Sequence, residues 1–276
     1  MDGLVSLLAL ADSRLPAGGH AHSGGVEPAM AAGLIRDLDD LAVFLRGRLR
    51  TAGAVSAAVA AAACHRAAGA DAAVWRALDA ETDARTASPA QRVASRQQGR
   101  ALLRAGSVAW PSPLLPGLAS AIATAAAPAA PDADAANRTC GAPVPTTGAR
   151  SHDYPASPIR YEAPAGGGCA PVAGPHHAVA LGAVGAAAGC DPAGVAHVAA
   201  YLTISGPAAA AVRLRGYDPF AVQALLAALT PEVTAVAQAG AAAAEGPLRD
   251  LPCPTAPRLD LLAELHAISE VRLFAS

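Results

Sequence analysis

The sequence has 276 residues, of which 53% are hydrophobic and 15% charged, and its formal net charge is −2. This composition excludes a disordered chain, and the near-neutral charge gives no global attraction to nucleic acid or to an anionic membrane. Every one of the 20 Lys+Arg positions is Arg, which excludes a Walker-type phosphate loop and lysine Schiff-base chemistry. Aromatic residues make up only 3%, so the core must use Ala, Leu and Val, which favours closely packed helices.

The first predicted elements are a short helix and a second helix that begins near Gly25, joined by a glycine-rich turn. Residues 7–27 read LLALADSRLPAGGHAHSGGVE. Glycine is unfavourable unless the backbone needs positive φ or a close approach, so the turn is predicted to be shaped for a contact. With Gly24 as the N-cap, the Glu27 carboxylate would bond back to the cap amide; a partner-facing role for Glu27 is the alternative.

Capping residues and prolines mark most of the later helices. Asp37 is predicted to cap a helix whose apolar stripe reaches Leu49 and which continues through a run of alanines to His65. Further helix starts are predicted at Asp71, Ser88-Pro89, Asp191-Pro192, Asp218-Pro219 and Thr230-Pro231. A buried helix is predicted over His176 to Ala188, and amphipathic character at Leu261, Leu262, Leu265 and Ile268.

Residues 128–174 are rich in Pro and Gly and show no helical or alternating period, so we predict an irregular, disordered insertion there. Nothing in the sequence predicts a sheet. The expected fold is therefore all-α, a single helical-bundle domain of about ten helices interrupted by this insertion. Residues 178–212 carry only Asp191 as a formal charge, but a membrane hairpin is disfavoured because Ala and Gly supply little insertion energy.

Four arginines recur at every fourth position of the predicted helix that begins at Pro89, and so form one row along it: Arg92, Arg96, Arg100 and Arg104. Like charges at this spacing repel, so the row needs a counterpart. Glu81 and Asp83, upstream, are one candidate. The other is an acidic surface of another protein, for which we predict Arg96 and Arg100 as binding residues. RNA is disfavoured because no aromatic stacking platform lies nearby.

Two histidine pairs suggest a metal site. They are His20 with His22 and His176 with His177, and imidazole nitrogens suit nickel or zinc. Each pair lacks a third and a fourth ligand, and adjacent helical residues point about 100° apart. We therefore favour histidines hydrogen-bonded in turns and predict no metal ligands, with a direct nickel carrier that uses all four as the alternative function.

Ser13 and Ser23, with His22 and Asp12, contain the parts of a hydrolase triad. No GxSxG elbow accompanies them and nothing positions an oxyanion hole, so no catalytic residue is predicted.

The five cysteines are odd in number, widely spaced and without a CxxC pair: Cys64, Cys140, Cys169, Cys190 and Cys253. This pattern indicates reduced thiols. Asp2 stands where a secretory signal would carry a basic residue, so the expected location is cytoplasmic.

Several separated blocks resemble the urease accessory protein UreF family. They are ADSRLPAGGHAHSGGVEPA from Ala11, ETDARTASPAQRVASRQQGRALLR from Glu81, PHHAVALGAV from Pro175, AAVRL ending at Leu214, and the terminal RLFAS. His20 departs from the aromatic residue that most members carry at its position.

The resemblance implies a non-enzymatic urease maturation factor. Such proteins bind the accessory protein UreD or UreH, recruit the GTPase UreG and couple GTP hydrolysis to nickel delivery into apo-urease. It implies no cofactor on this chain, because nickel and GTP are handled by the wider complex. Whether the chain forms a homodimer stays open.

We predict two segments as partner contacts. The turn contributes Gly18, Gly19, His22, Ser23, Gly24, Gly25 and Glu27. The tail contributes Arg272, Leu273, Phe274 and Ser276. Two large apolar side chains at a free end would be exposed to water unless they dock on another subunit.

Overall fold

The computed structural model describes residues 3–17, 22–126, 174–269 and 273–274, and these ranges contain no β-strand. The first seven α-helices are α1 Gly3–Ala11, α2 Val26–Ala31, α3 Leu38–Arg48, α4 Ala54–Arg66, α5 Ala72–Ala84, α6 Pro89–Ala109 and α7 Leu114–Ala126. The next five are α8 His177–Ala187, α9 Pro192–Arg215, α10 Pro219–Ala228, α11 Thr230–Ala243 and α12 Pro257–Ala267. The all-α prediction is confirmed. Apart from Gly174, the predicted insertion 128–174 lies outside the described residues.

Five of the helices begin where the capping residues predicted. In each, the side chain before the helix accepts a hydrogen bond from a backbone N–H two or three residues later, which satisfies a donor that the helix itself leaves unpaired. The capping side chains are Asp37, Asp71, Ser88, Asp191 and Asp218. The sequence therefore located these helix starts from local chemistry alone.

The long helix predicted from Asp37 to His65 is continuous but not uniform. A π-helical turn, Leu49–Gly53, joins α3 to α4. Arg46 and Arg50, placed before and within this turn, both reach Glu232 of α11, at 2.6 and 2.8 Å. A π-helical turn contains about one residue more than an α-helical turn, so it changes which faces of α3 and α4 align. The sequence pattern did not predict this turn.

Helix α4 lies at the centre of the described residues. It packs against α8, α9 and α11, and residues 57–63 are fully buried. The small side chains let neighbouring backbones approach closely. A Cβ built on Gly182 of α8 would lie 2.9 Å from the backbone nitrogen of Cys64, so only glycine fits there.

Among the described residues, α9 is the one helix that by itself is long and apolar enough to cross a membrane. Most of its apolar window, 61%, is buried inside the protein, as in the core helix of a globular domain. Helices α10 and α11 pass the same test only together, as a pair bent by 48°.

Helix α12 presents most of its apolar stripe outwards. Leu262 is buried, but Leu261, Leu265 and Ile268 are 66%, 60% and 67% exposed. The buried face of this helix includes His266, which is 5% exposed. The amphipathic pattern was therefore real, but three of its four apolar positions do not face the core of this chain.

Candidate partner-binding site

The described part of the glycine-rich turn packs against the body of the protein. Gly24 and Gly25 have φ of +58° and +89°, the left-handed region that favours glycine. A Cβ on Gly24 would lie 2.7 Å from Cγ of Pro207 in α9. His22 is 8% exposed and Ser23 fully buried, so neither offers much surface to a partner. Gly18, Gly19 and His20 lie outside the described residues.

Glu27 does not close a capping box. Gly25, not Gly24, is the N-cap of α2, and no side chain bonds to the cap. The Glu27 carboxylate instead accepts hydrogen bonds from the backbone N–H groups of Leu273 at 2.8 Å and Phe274 at 3.0 Å. The capping-box prediction was wrong because a contact 246 residues away in sequence outweighs the local one.

The described part of the tail is held by three residues. Besides the Glu27 carboxylate, His266 Nε2 lies 3.1 Å from the carbonyl oxygen of Phe274 and 3.3 Å from Glu27 Oε2. The guanidinium carbon of Arg213 lies 4.6 Å from the centroid of the Phe274 ring, a cation–π contact. The turn and the tail, predicted separately as partner contacts, thus meet. His266 and Arg213 had not been singled out from sequence.

Leu273 is anchored through its backbone while its side chain is 77% exposed. It follows, in sequence, two exposed apolar residues of α12, Leu261 and Leu265, and Ile268 just after that helix. We call these four side chains, Leu261, Leu265, Ile268 and Leu273, the C-terminal apolar surface. The predicted tail residues Arg272 and Ser276 lie outside the described residues.

The arginine row is divided between internal and exposed positions. Arg96, 18% exposed, forms ion pairs with Asp79 at 2.8 Å and Asp83 at 2.7 Å. Arg92 donates to the backbone oxygens of residues 86 and 87. Arg100 and Arg104 are exposed. Asp83, upstream in sequence, therefore pairs with the row. Arg96 has little free surface left for a partner. The partner-binding role of Arg100 stays a prediction.

Glu81, the other upstream acid, does not pair with the row. Its carboxylate binds Arg85, one turn further along the same helix end. The Arg85 guanidinium in turn donates to backbone oxygens of residues 248–252. This contact fastens the loop before α12 to α5.

His176 completes the ion cluster around Arg96. Its ring is fully buried, with Nε2 at 2.8 Å from Asp83 Oδ1 and Nδ1 at 3.0 Å from Ser95 Oγ. Its backbone N–H donates to Asp79 Oδ1 at 2.9 Å. Burial alone would raise the pKa of Asp83, but the hydrogen bond with His176 and the charge of Arg96 lower it below its ordinary value. The cluster thereby ties the start of α8 to α5 and α6.

Ligand atoms of Asp79, Asp83 and His176 lie within 4.8 Å of one another, a spacing that a metal ion could bridge. The Arg96 guanidinium already forms ion pairs with both carboxylates. A divalent cation would have to displace this charge, so the donor set does not fit a metal well.

The histidines of the nickel-carrier alternative are not brought to one point. His176 faces Asp83, whereas His22 and His177 line a separate large cleft. Burial, with a further contribution from His22, lowers the pKa of His177 to about 4. His20 lies outside the described residues. The geometry therefore does not favour this alternative.

The parts of a hydrolase triad are not assembled either. The Asp12 carboxylate binds the Arg14 guanidinium at 2.6 Å. The hydroxyl of Ser23 has no hydrogen-bond partner among the described residues. A serine that no base activates is a poor nucleophile.

Comparisons with known proteins identify relatives of this chain. A family model described as UreF matches residues 35–230. The chain is 41% identical to the urease accessory protein UreF of Mycobacterium sp. (strain JLS), 39% to that of Mycolicibacterium vanbaalenii and 36% to that of Mycobacterium tuberculosis. Each comparison covers 100% of this chain and 100% of the relative.

Proposed function

Because this chain belongs to the UreF family of urease accessory proteins, which are not themselves catalytic, we propose that it binds a UreD/UreH-type accessory protein. Together they recruit the UreG-type GTPase to apo-urease for nickel insertion. In this proposal the chain is cytoplasmic and holds no cofactor of its own, and nickel and GTP are handled by the wider complex.

The observation that carries the proposal is how the tail is held. Two backbone N–H groups are bound by Glu27, while the side chain of Leu273 stays 77% exposed. A tail that served only to cover the core would bury that side chain instead. Leu273 and the outward apolar residues of α12 are exposed apolar side chains on an ordered backbone, of the kind that protein partners cover.

The first experiment removes the tail. Deleting residues 271–276 should leave helical content nearly unchanged, because these residues follow the last core helix, and should lower the melting temperature by no more than the lost contacts to Glu27, His266 and Arg213 account for. Co-purification with the UreD-type partner should be lost. A truncated chain that still captures this partner would show that the tail is not the binding element.

A point substitution tests the surface without shortening the chain. Leu273→Asp places a charge on the C-terminal apolar surface and should weaken partner capture at least tenfold. Val108→Asp on α6, where the native side chain is 83% exposed, is the matched control and should leave capture unchanged. Equal capture by both variants would count against the surface.

The whole proposal is tested in a cell that lacks its own UreF. Expression of this chain with nickel supplied should restore urease activity, and the deletion of residues 271–276 should not. Urease that stays inactive with the full-length chain, although the chain is present and folded, would oppose the proposal.

A further inference from the structure

Three arginines alternate along the end of α3 and the π-turn, and the middle one differs from its neighbours. Arg46 and Arg50 both bind the Glu232 carboxylate. Arg48 points elsewhere. Its Nε–H donates to the backbone oxygen of Thr203 at 3.1 Å, and no carboxylate of the described residues forms an ion pair with it.

Arg48 is a partly buried cation with unused donors. A guanidinium carries five N–H groups, and the bond to Thr203 uses one of them. Burial lowers the pKa of Arg48 to about 10, which still leaves it charged at neutral pH. Even partial removal of a charge from water is unfavourable without a counter-ion, and charges withdrawn from solvent in proteins are normally paired.

The guanidinium of Arg48 lies on a cleft of about 880 Å³. The Gly24–Gly25 turn, Thr203 and Pro207 form the nearby wall. A Cβ on Gly24 would come within 3.3 Å of the guanidinium carbon. The glycine therefore keeps open the space beside Arg48 that a side chain would fill.

The other charged groups on the cleft are already engaged. Asp12 binds Arg14, Arg85 binds Glu81, and Asp260 accepts a hydrogen bond from Gln91. Arg213 lies over the ring of Phe274. Of the cleft's described residues, Arg48 thus combines partial burial, a charge and the lack of a side-chain partner.

We propose that Arg48 is an oxyanion-binding residue, whose free N–H groups hold a carboxylate or phosphate in this cleft. The planar guanidinium matches the two oxygens of such groups. The anion could be a free small molecule or an acidic side chain of the accessory partner. The second source rests on the proposed function.

The first arm of the test measures free anions. Isothermal titration calorimetry with inorganic phosphate and with acetate, at constant ionic strength, should show binding to the wild-type chain. Arg48→Met should weaken anion binding at least tenfold. Arg48→Lys should retain part of the binding, because lysine keeps the positive charge but lacks the paired N–H donors of the guanidinium. Arg50→Met, a neighbour that faces Glu232, should bind as the wild type does.

The second arm measures the partner protein. If the anion is a partner's acidic side chain, Arg48→Met should release the UreD-type protein in co-purification and Arg50→Met should retain it. Thermal melting checks folding: Arg48→Met should melt no lower than Arg50→Met, because Arg50→Met breaks an ion pair with Glu232 whereas Arg48→Met removes a partly buried cation that has no counter-ion.

The oxyanion site is supported if Arg48→Met loses anion binding or partner capture while Arg50→Met keeps both. Arg48→Met that behaves as wild type in both arms overturns it. If the wild-type chain itself does not hold the partner, the proposed function fails and the first arm alone decides. In that case, absence of wild-type binding at ~100 mM anion, about a hundredfold above a dissociation constant of 1 mM, overturns the oxyanion site.

Discussion

Glu27 Oε2 lies 3.0 Å from the backbone nitrogen of Phe274, so the start of α2 holds the last described residue of the chain. The second carboxylate oxygen accepts from Leu273, and His266 approaches from α12. Charge-assisted hydrogen bonds of this type are stronger than those between neutral groups. The N-terminal turn and the C-terminal tail therefore form one structural unit.

Glu27→Gln should loosen the tail without disturbing the helices. The glutamine side chain places an NH2 group where one carboxylate oxygen of Glu27 accepts a backbone N–H. Losing one charge-assisted hydrogen bond should weaken the attachment of the tail by about 1.5 kcal/mol. Amide hydrogen exchange at Leu273 and Phe274 should become on the order of tenfold faster. Glu245→Gln, at an exposed position, is the control. Unchanged exchange in Glu27→Gln would contradict the clamp.

Gly24→Ala should destabilise the protein more than Gly33→Ala. Both glycines have positive φ, at +58° and +70°, so alanine is strained at either position by about 1 kcal/mol. A Cβ on Gly24 would also meet Pro207, whereas nothing lies within 4 Å of one on Gly33. Urea unfolding should show an additional loss of about 1–3 kcal/mol for Gly24→Ala. Equal losses would mean that the turn does not pack on α9 as described.

Arg96→Met should unfold at lower urea concentration. It leaves Asp79 and Asp83 without their cation in a partly buried cluster, for which the expected loss is about 3 kcal/mol. Arg100→Met, on the exposed side of the same helix, should change stability by less than about 0.5 kcal/mol. Similar losses for the two variants would show that the ion cluster contributes little.

The free energy of unfolding should fall as the pH is lowered from about 6.5 to about 4. The pKa of His177 is about 4 in the folded chain, against about 6.5 for a free histidine. The unfolded state therefore binds the proton first, and the stability present above pH 6.5 is lost through this window. His177→Gln should make the free energy of unfolding depend less steeply on pH in this window, by at most about 1.4 kcal/mol per pH unit. His65→Gln, an exposed position, should leave this pH dependence unchanged; the same reduction there would oppose the assignment.

Local signals in the sequence were enough for the helices. Asp37, Ser88 and Asp191 each satisfy backbone donors within three residues, so their roles are legible from spacing alone. The alanine run in α4 predicted a helix by propensity and close packing by side-chain size.

Long-range contacts were beyond the sequence. Nothing near Glu27 indicates that its carboxylate binds residues at the other end of the chain. The spacing of the arginine row did not distinguish Arg96, paired inside, from Arg100, exposed at the surface. Equally, the apolar stripe of α12 fixed which residues share a face, but not whether that face meets this chain or water. Such outcomes depend on which helices become neighbours in space.

Residues 57–63 of α4 contain six alanines and one valine, all without exposure to water. Alanine has no rotamers to lose, so ordering these side chains on folding has almost no entropic cost. The same lack of rotamers leaves the centre of the protein unable to adapt by turning side chains. A change of shape at this centre on assembly must then come from helices that shift as whole bodies.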